Sequence, residues 1–135
     1  YVSVVDRFII CAPDAVHRDT QEPCGLHTYT CRGWCRLEMM ARACSSGVEQ
    51  VYLQIEAADD LRAMTAADFQ TLSLRVFEGH FSVQSDVQKL VDPVLGLYCS
   101  ILRQGHEGHV EHIQVLRKHI ESDRFLTPTN GLHNS

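Results

Sequence analysis

An α/β fold, with a parallel sheet, flanking helices and a helical C-terminal tail, is what the hydropathy pattern of this 135-residue chain predicts. Three stretches carry that expectation. Arg7 to Ala12 holds an almost unbroken apolar run, Phe8-Ile9-Ile10-Cys11-Ala12, suited to a strand covered on both faces as in a parallel sheet. Val48 to Glu56 alternates, with Val51, Leu53 and Ile55 to one side and Gln50, Tyr52, Gln54 and Glu56 to the other, the period of a half-exposed strand. Between them, Trp34, Leu37, Ala41 and Cys44 fall on one stripe of a helix, while Arg36 and Ala43 point the other way.

Taken in order, Val2 to Asp6 reads as the end of a helix. Tyr1-Val2-Ser3-Val4-Val5 enters as if from the middle of an element, so the chain is expected to be a fragment of a longer domain. Pro13 stops the first strand. From Asp14 to Thr30, polar residues mix with Pro23 and Gly25 without periodicity, which reads as one long loop. It leaves the C-terminal end of a strand, the edge at which open α/β sheets bind ligands. The helix after it runs to about Ser45-Ser46, with Gly47 as its stop.

Beyond the second strand, Thr65-Ala66-Ala67-Asp68 has the form of a capping box, in which hydroxyl and carboxylate satisfy each other's backbone N–H. Thr71 to Val76 is apolar and β-branched enough for a strand, and the boundary between helix and strand stays open there. Phe77 to Val83 reads as a turn at Gly79 that offers Phe77, Phe81 and Val83 to the core. Asp86 is placed to cap a helix carrying Val87, Leu90, Val91, Val94, Leu95, Tyr98 and Ile101. Pro93 inside that pattern predicts a kink or a new helix start near Asp92-Pro93.

Residues 105–125 are expected to form a C-terminal helix with Val110, Ile113, Leu116 and Ile120 as its stripe, and residues 126–135 a flexible tail. The run His106-Glu107-Gly108-His109-Val110-Glu111-His112 lacks the spacing of a zinc protease, because His106 and His109 do not stand four apart. Its histidines read as solvated flank residues.

The net charge of −5 argues against nucleic acid or an anionic membrane as partner, since either demands a basic face. No apolar run approaches the roughly 18–20 residues of a membrane span. Among the six cysteines, Cys11, Cys44 and Cys99 lie in apolar patterns and read as small hydrophobes of a reduced, cytoplasmic protein. Cys24, Cys31 and Cys35 cluster with His17 and His27. Only Cys31 and Cys35 have the close spacing of a structural zinc site, so zinc on Cys24, Cys31, Cys35 and His27 is the minor reading, and no resident metal or cofactor is the major one.

The stretch Arg32-Gly33-Trp34-Cys35-Arg36-Leu37-Glu38 holds the residues of greatest chemical interest. Glu38 lies one turn after Trp34 at the margin of the apolar stripe, where a carboxylate needs a reason. The plain reason is Arg42, one turn further on, since such a pair supports an exposed helix by about 0.2–0.5 kcal/mol. Arg32, Arg36 and Arg42 gather at the helix and suggest a phosphate, with surface solvation as the commoner alternative.

Tryptophan and cysteine opening a helix just after an apolar strand, with glutamate three residues beyond the cysteine, resembles the Toll/interleukin-1 receptor (TIR) domain. The motif residues here are Trp34, Cys35 and Glu38. The loop with His17, Asp19 and Cys24, the Arg-Gly-Trp-Cys-Arg run, and Phe77-Glu78-Gly79 with Phe81-Ser82-Val83 are similar to a divergent protist and algal type. That resemblance implies a partial, flavodoxin-like arrangement over residues 1–104, without the N-terminal part of the domain.

It also implies signalling. In members that cleave NAD, the carboxylate at the position of Glu38 is catalytic. Trp34, Arg32, Arg36, His17 and Asp19 are then the expected substrate-binding residues, with NAD or a related nucleotide as ligand. Other members only bind one another, so self-association or docking to further TIR-like domains is the alternative. A zinc-stapled loop that binds peptide is the third reading. If the upstream strand is missing, the sheet edge is open and tends to pair with a partner.

Overall fold

Alternating burial on two neighbouring strands and helical burial on two long helices make this a mixed α/β chain. The computed structural model describes residues 2–46, 49–56 and 60–104. Strand β1 (Phe8–Cys11) leads to a two-stranded antiparallel hairpin, β2 (Ala15–Val16) with β3 (Pro23–Cys24), and then to helix α1 (Leu26–Cys31). Helix α2 (Gly33–Ser46) follows, then strands β4 (Val51–Gln54) and β5 (Leu61–Ala63) and helix α3 (Ala66–Thr71). A 3-10 turn at Val76–Glu78 precedes helices α4 (Asp86–Lys89) and α5 (Val91–Gln104), and another at Val2–Val4 stands before β1, where the end of a helix was expected. Among the described residues no helix is long and apolar enough to cross a membrane.

The main sheet has the order β1-β4-β5. β1 and β4 are parallel, in the register Phe8 to Val51 and Ile10 to Leu53, and helix α2 is the crossover between them. β5 corrects the expectation of an all-parallel sheet, because it returns antiparallel to β4 with Leu53 opposite Arg62. Its three residues are all exposed, so no apolar pattern announced them.

β1 is also not covered on both faces. Ile10 is buried, but Ile9 is half exposed at 50% and Cys11 is exposed, so the unbroken apolar run hides an alternation. Tyr52 and Gln54, the partners of Ile9 and Cys11, share that more open face.

Ile10, Leu53, Met40, Val76, Leu90, Val94 and Ile101 are the most deeply buried large side chains, so the core lies between one face of the sheet, α2 and α5. On α2 the buried side runs through Cys35, Met39, Met40, Arg42, Ala43 and Cys44. The expected stripe is therefore rotated. Ala43 is inside, while Trp34 is 43% exposed because its indole N–H donates to Asp86 Oδ2 at 3.2 Å instead of entering an apolar core.

The stripe of Leu90, just before α5, and Val94, Tyr98 and Ile101 on it is buried as expected, whereas Leu95 faces out. Pro93 sits in the first turn, where its missing N–H costs nothing, and the new helix begins at Val91. Val83 is exposed and does not join the core; Phe77 and Phe81 pack at its edge. Asp86 is the first residue of α4 and caps no backbone N–H. Its carboxylate instead accepts from Trp34 and from Lys89 Nζ at 2.6 Å.

The capping box at α3 forms as the residues suggested. Asp68 N–H donates to Thr65 Oγ1 at 3.1 Å, and Thr65 N–H donates to Asp68 Oδ2 at 2.8 Å. Thr71 closes this helix and Leu72 is extended, so no strand forms there. Arg62 of β5 adds a two-pronged pair to the same carboxylate, at 2.7 and 3.0 Å. The guanidinium and the Thr65 donors hold the Asp68 carboxyl well below its usual range.

A carboxyl held low in the folded state adds stability that is present above its unfolded value, about 3.9, and fades as pH falls below it. Thermal melting of wild type and Asp68→Asn is therefore expected to differ at pH 7 and to converge as pH drops from about 4 downward. A constant difference across that range would contradict this account.

The expected helix of residues 105–125, its stripe, the tail 126–135 and the stop at Gly47 lie outside the described residues.

Candidate functional site

The stretch expected to be one long loop is built. β2 and β3 pair Ala15 with Cys24 and Val16 with Pro23, and His17 N–H donates to Glu22 O at 2.9 Å to close the hairpin. His17 is occupied in this turn, where its Nδ1 accepts from Thr20 N–H at 3.3 Å. Gln21 takes a left-handed φ of 58°. Thr28 starts α1 by accepting from Gly25 N–H and donating to Gly25 O, both at 2.9 Å. The hairpin is exposed and α1 buries no residue, so neither leaves a periodic trace in the sequence.

These elements wall an open cleft of about 250 Å³ beyond the C-terminal end of β1. Cys11, Ala12 and Pro13 form one side, Ala15 and Cys24 the hairpin side, and Gly25, Thr28, Tyr29 and Arg32 the α1 side. A cleft at that end of a parallel strand pair is where an α/β sheet offers its ligand site. A tighter cavity, lined by Phe8, Ile10, Met39, Arg42, Val51, Met64, Phe69 and Leu72, lies within the core and is almost wholly apolar.

Of the three arginines expected around a phosphate, two are spent on the fold. Arg36 donates from Nε to Thr30 O at 2.8 Å and from Nη1 to Arg75 O at 3.0 Å, which ties α2 to α1 and to the segment before the 3-10 turn. Arg42 is buried at 5% exposure and donates to the carbonyls of Val5, Asp6 and Glu49. It is therefore not the helical partner of Glu38. Arg32 is exposed, lines the cleft and makes no side-chain hydrogen bond or ion pair with the described residues.

Glu38 is exposed and is not among the side chains that line the cleft. Burial raises the Tyr29 hydroxyl above its usual range, and the charges of Cys35 and Glu38 raise it further, against a lowering by Arg32. The Cys35 thiol is likewise raised, first by burial and then by Glu38, while Arg32 opposes. Tyr29 and Cys35 are thus held protonated at neutral pH, Tyr29 as a hydrogen-bond donor on the cleft wall and Cys35 as an inert core thiol.

The rest of the motif serves a joint. Gly33 N–H donates to His80 O at 3.0 Å and His80 N–H donates to Cys31 O at 2.7 Å, so the turn after Gly79 crosses under the α1–α2 junction. A methyl on Gly33 would lie within 2.5 Å of three carbons of the Phe81 ring, and one on Gly79 within 2.5 Å of Gly33 Cα. Glycine at position 33 is a packing requirement.

The expected site residues therefore separate. Arg32 is in the cleft; Glu38 is near it; Trp34 is bound to Asp86 on α4; Arg36 is a staple; His17 and Asp19 belong to the hairpin turn and do not line the cleft. Cys24 lines the cleft, Cys31 is half-buried, Cys35 is buried and His27 is exposed. Among the described residues, no three His, Cys, Asp or Glu side chains gather as a metal ion would need. Tyr29, Thr28 and Cys11 are cleft residues that sequence reasoning missed; the signal available was their position around the strand's C-terminal end.

In comparison with known proteins, the chain matches no family model, no curated protein and no solved structure, so the cleft residues themselves carry the functional reading.

Proposed function

We propose that this chain is a TIR-like, partially flavodoxin-like signalling domain whose cleft at the end of β1 binds NAD or a related nucleotide. The observation that carries this reading is Arg32. It is an exposed guanidinium on the cleft wall without a protein partner among the described residues, whereas Arg36 and Arg42 are committed to carbonyls. Arg32 would take the phosphates in a charge-assisted contact. Thr28 and the protonated Tyr29 hydroxyl would meet ribose hydroxyls.

Titrating the protein with NAD or ADP-ribose in a calorimeter is expected to show saturable binding, weakened about tenfold in Arg32→Ala by loss of one charged hydrogen-bonding partner. Absence of binding by the wild type, or equal binding by the variant, removes the proposal.

Hydrolysis of NAD by Glu38 is the second reading, favoured by the effect of its carboxylate on Tyr29, a cleft residue. A carboxylate near the ribose would stabilise an oxocarbenium-like transition state as nicotinamide leaves. Free nicotinamide released by wild type and not by Glu38→Gln is the supporting result; equal release by both excludes it. A purely adhesive module has its own observation, the exposed Ile9 and Leu61 on the open side of the sheet. Elution volume against protein concentration tests that reading.

A further inference from the structure

Two free cysteines share the cleft. Cys11, expected as a buried hydrophobe, is an exposed thiol on its sheet side, and Cys24 stands half-buried on its hairpin side. The Cys24 thiol donates to Ala15 O at 3.5 Å, a contact within its own hairpin, where Ala15 is its strand partner. The Cys11 thiol donates to Gln54 Oε1 at 2.8 Å on the neighbouring strand β4, a bond it must give up to reach across the opening.

From these positions we propose that Cys11 and Cys24 are the two halves of a reversible disulfide that closes the cleft under oxidising conditions. The hairpin that carries Cys24 is joined by only two residue pairs, Ala15 with Cys24 and Val16 with Pro23, so its pairing opposes little to the rearrangement that the linkage requires. The other thiols are excluded by place. Cys35 and Cys44 are buried, and burial pushes the Cys44 thiol up to about 12. Cys31 and Cys99 do not line the cleft.

With hydrogen peroxide as oxidant the step balances. The Cys11 thiol, the more exposed, gives up its proton and attacks one peroxide oxygen; the O–O bond breaks, a sulfenic acid forms and water leaves. The Cys24 thiolate then attacks that sulfur. The S–S bond forms, the hydroxyl departs with a proton as a second water, and two thiols have been oxidised as one peroxide is reduced. Closure would cover Thr28, Tyr29 and Arg32, making ligand access redox-dependent. The linkage itself stands whether or not the cleft binds a nucleotide.

The test is treatment of the full chain with limiting peroxide, followed by thiol counting and non-reducing peptide mass spectrometry. The expected result is loss of two free thiols per chain, a peptide joining Cys11 to Cys24, and full recovery with dithiothreitol. Cys11→Ser and Cys24→Ser, which keep a hydroxyl donor at each place, should each abolish the linkage, and Cys99→Ser should not. Six thiols that remain free, a linkage through any other pair, or a dimer joined between chains would overturn the proposal. The nucleotide titration, run on the reduced protein, reports on the ligand reading separately.

Discussion

Replacing Arg42 with methionine is expected to remove about 3 kcal/mol or more of folding stability, the largest effect of any single substitution proposed for this chain. The side chain is 5% exposed, and its guanidinium donates to Val5 O at 2.5 Å, Glu49 O at 2.9 Å and Asp6 O at 3.2 Å. Those carbonyls precede β1 and β4, so one residue of α2 fixes where both parallel strands enter the sheet.

Hydrogen bonds to a charged group contribute about 1.5–3 kcal/mol, and carbonyls left without a donor inside the protein keep their desolvation cost. Methionine fills similar volume, which separates the lost hydrogen bonds from a cavity. For a domain of this size the midpoint of thermal unfolding should fall by on the order of 10 °C. Arg42→Lys, with a charge but no fork, should recover part of the loss. Urea unfolding of the three proteins checks this; a methionine variant within about 0.5 kcal/mol of wild type would contradict the assignment.

Gly33→Ala ranks second, with an expected cost of about 1–3 kcal/mol from overpacking. The added methyl would overlap the Phe81 ring, so the ring or the backbone at position 33 has to shift to admit it. The neighbouring joint, Gly33 N–H to His80 O and His80 N–H to Cys31 O, would have to open for the ring to move. A double-mutant cycle with Phe81→Leu makes the mechanism specific. If the ring is the obstacle, alanine at 33 should cost less in the leucine background than in wild type. Additive losses would point to backbone freedom of glycine instead.

The second prediction bears on the motif that drew attention in the sequence, and Arg42 follows it on the same helix. Arg-Gly-Trp-Cys-Arg reads as chemistry, yet Gly33 makes room for Phe81, Trp34 is bound to Asp86, Cys35 enters the core and Arg36 ties Thr30 to Arg75. Arg32, at its first position, is the motif residue that lines the cleft. Several of these residues build the joint between α1, α2 and the turn after Gly79. Which of them face a ligand was not written in the sequence, because position 32 ends α1 and position 36 lies on α2, and their directions depend on how the two helices meet.

Local order alone determined much of the framework. The apolar run at β1, the alternation at β4, the cap at Thr65 and the break near Pro93 follow from periodicity and from which backbone N–H groups lack partners, and neighbours in sequence decide both. Only tertiary structure decided that β5 runs antiparallel, that α2 turns Ala43 inward and Trp34 outward, that Arg42 serves three carbonyls and that Cys11 and Cys24 line one cleft. The physical reason is range: a strand or helix is chosen by contacts a few residues apart, whereas its direction, its buried face and the opening it walls are chosen by residues brought together from distant parts of the chain.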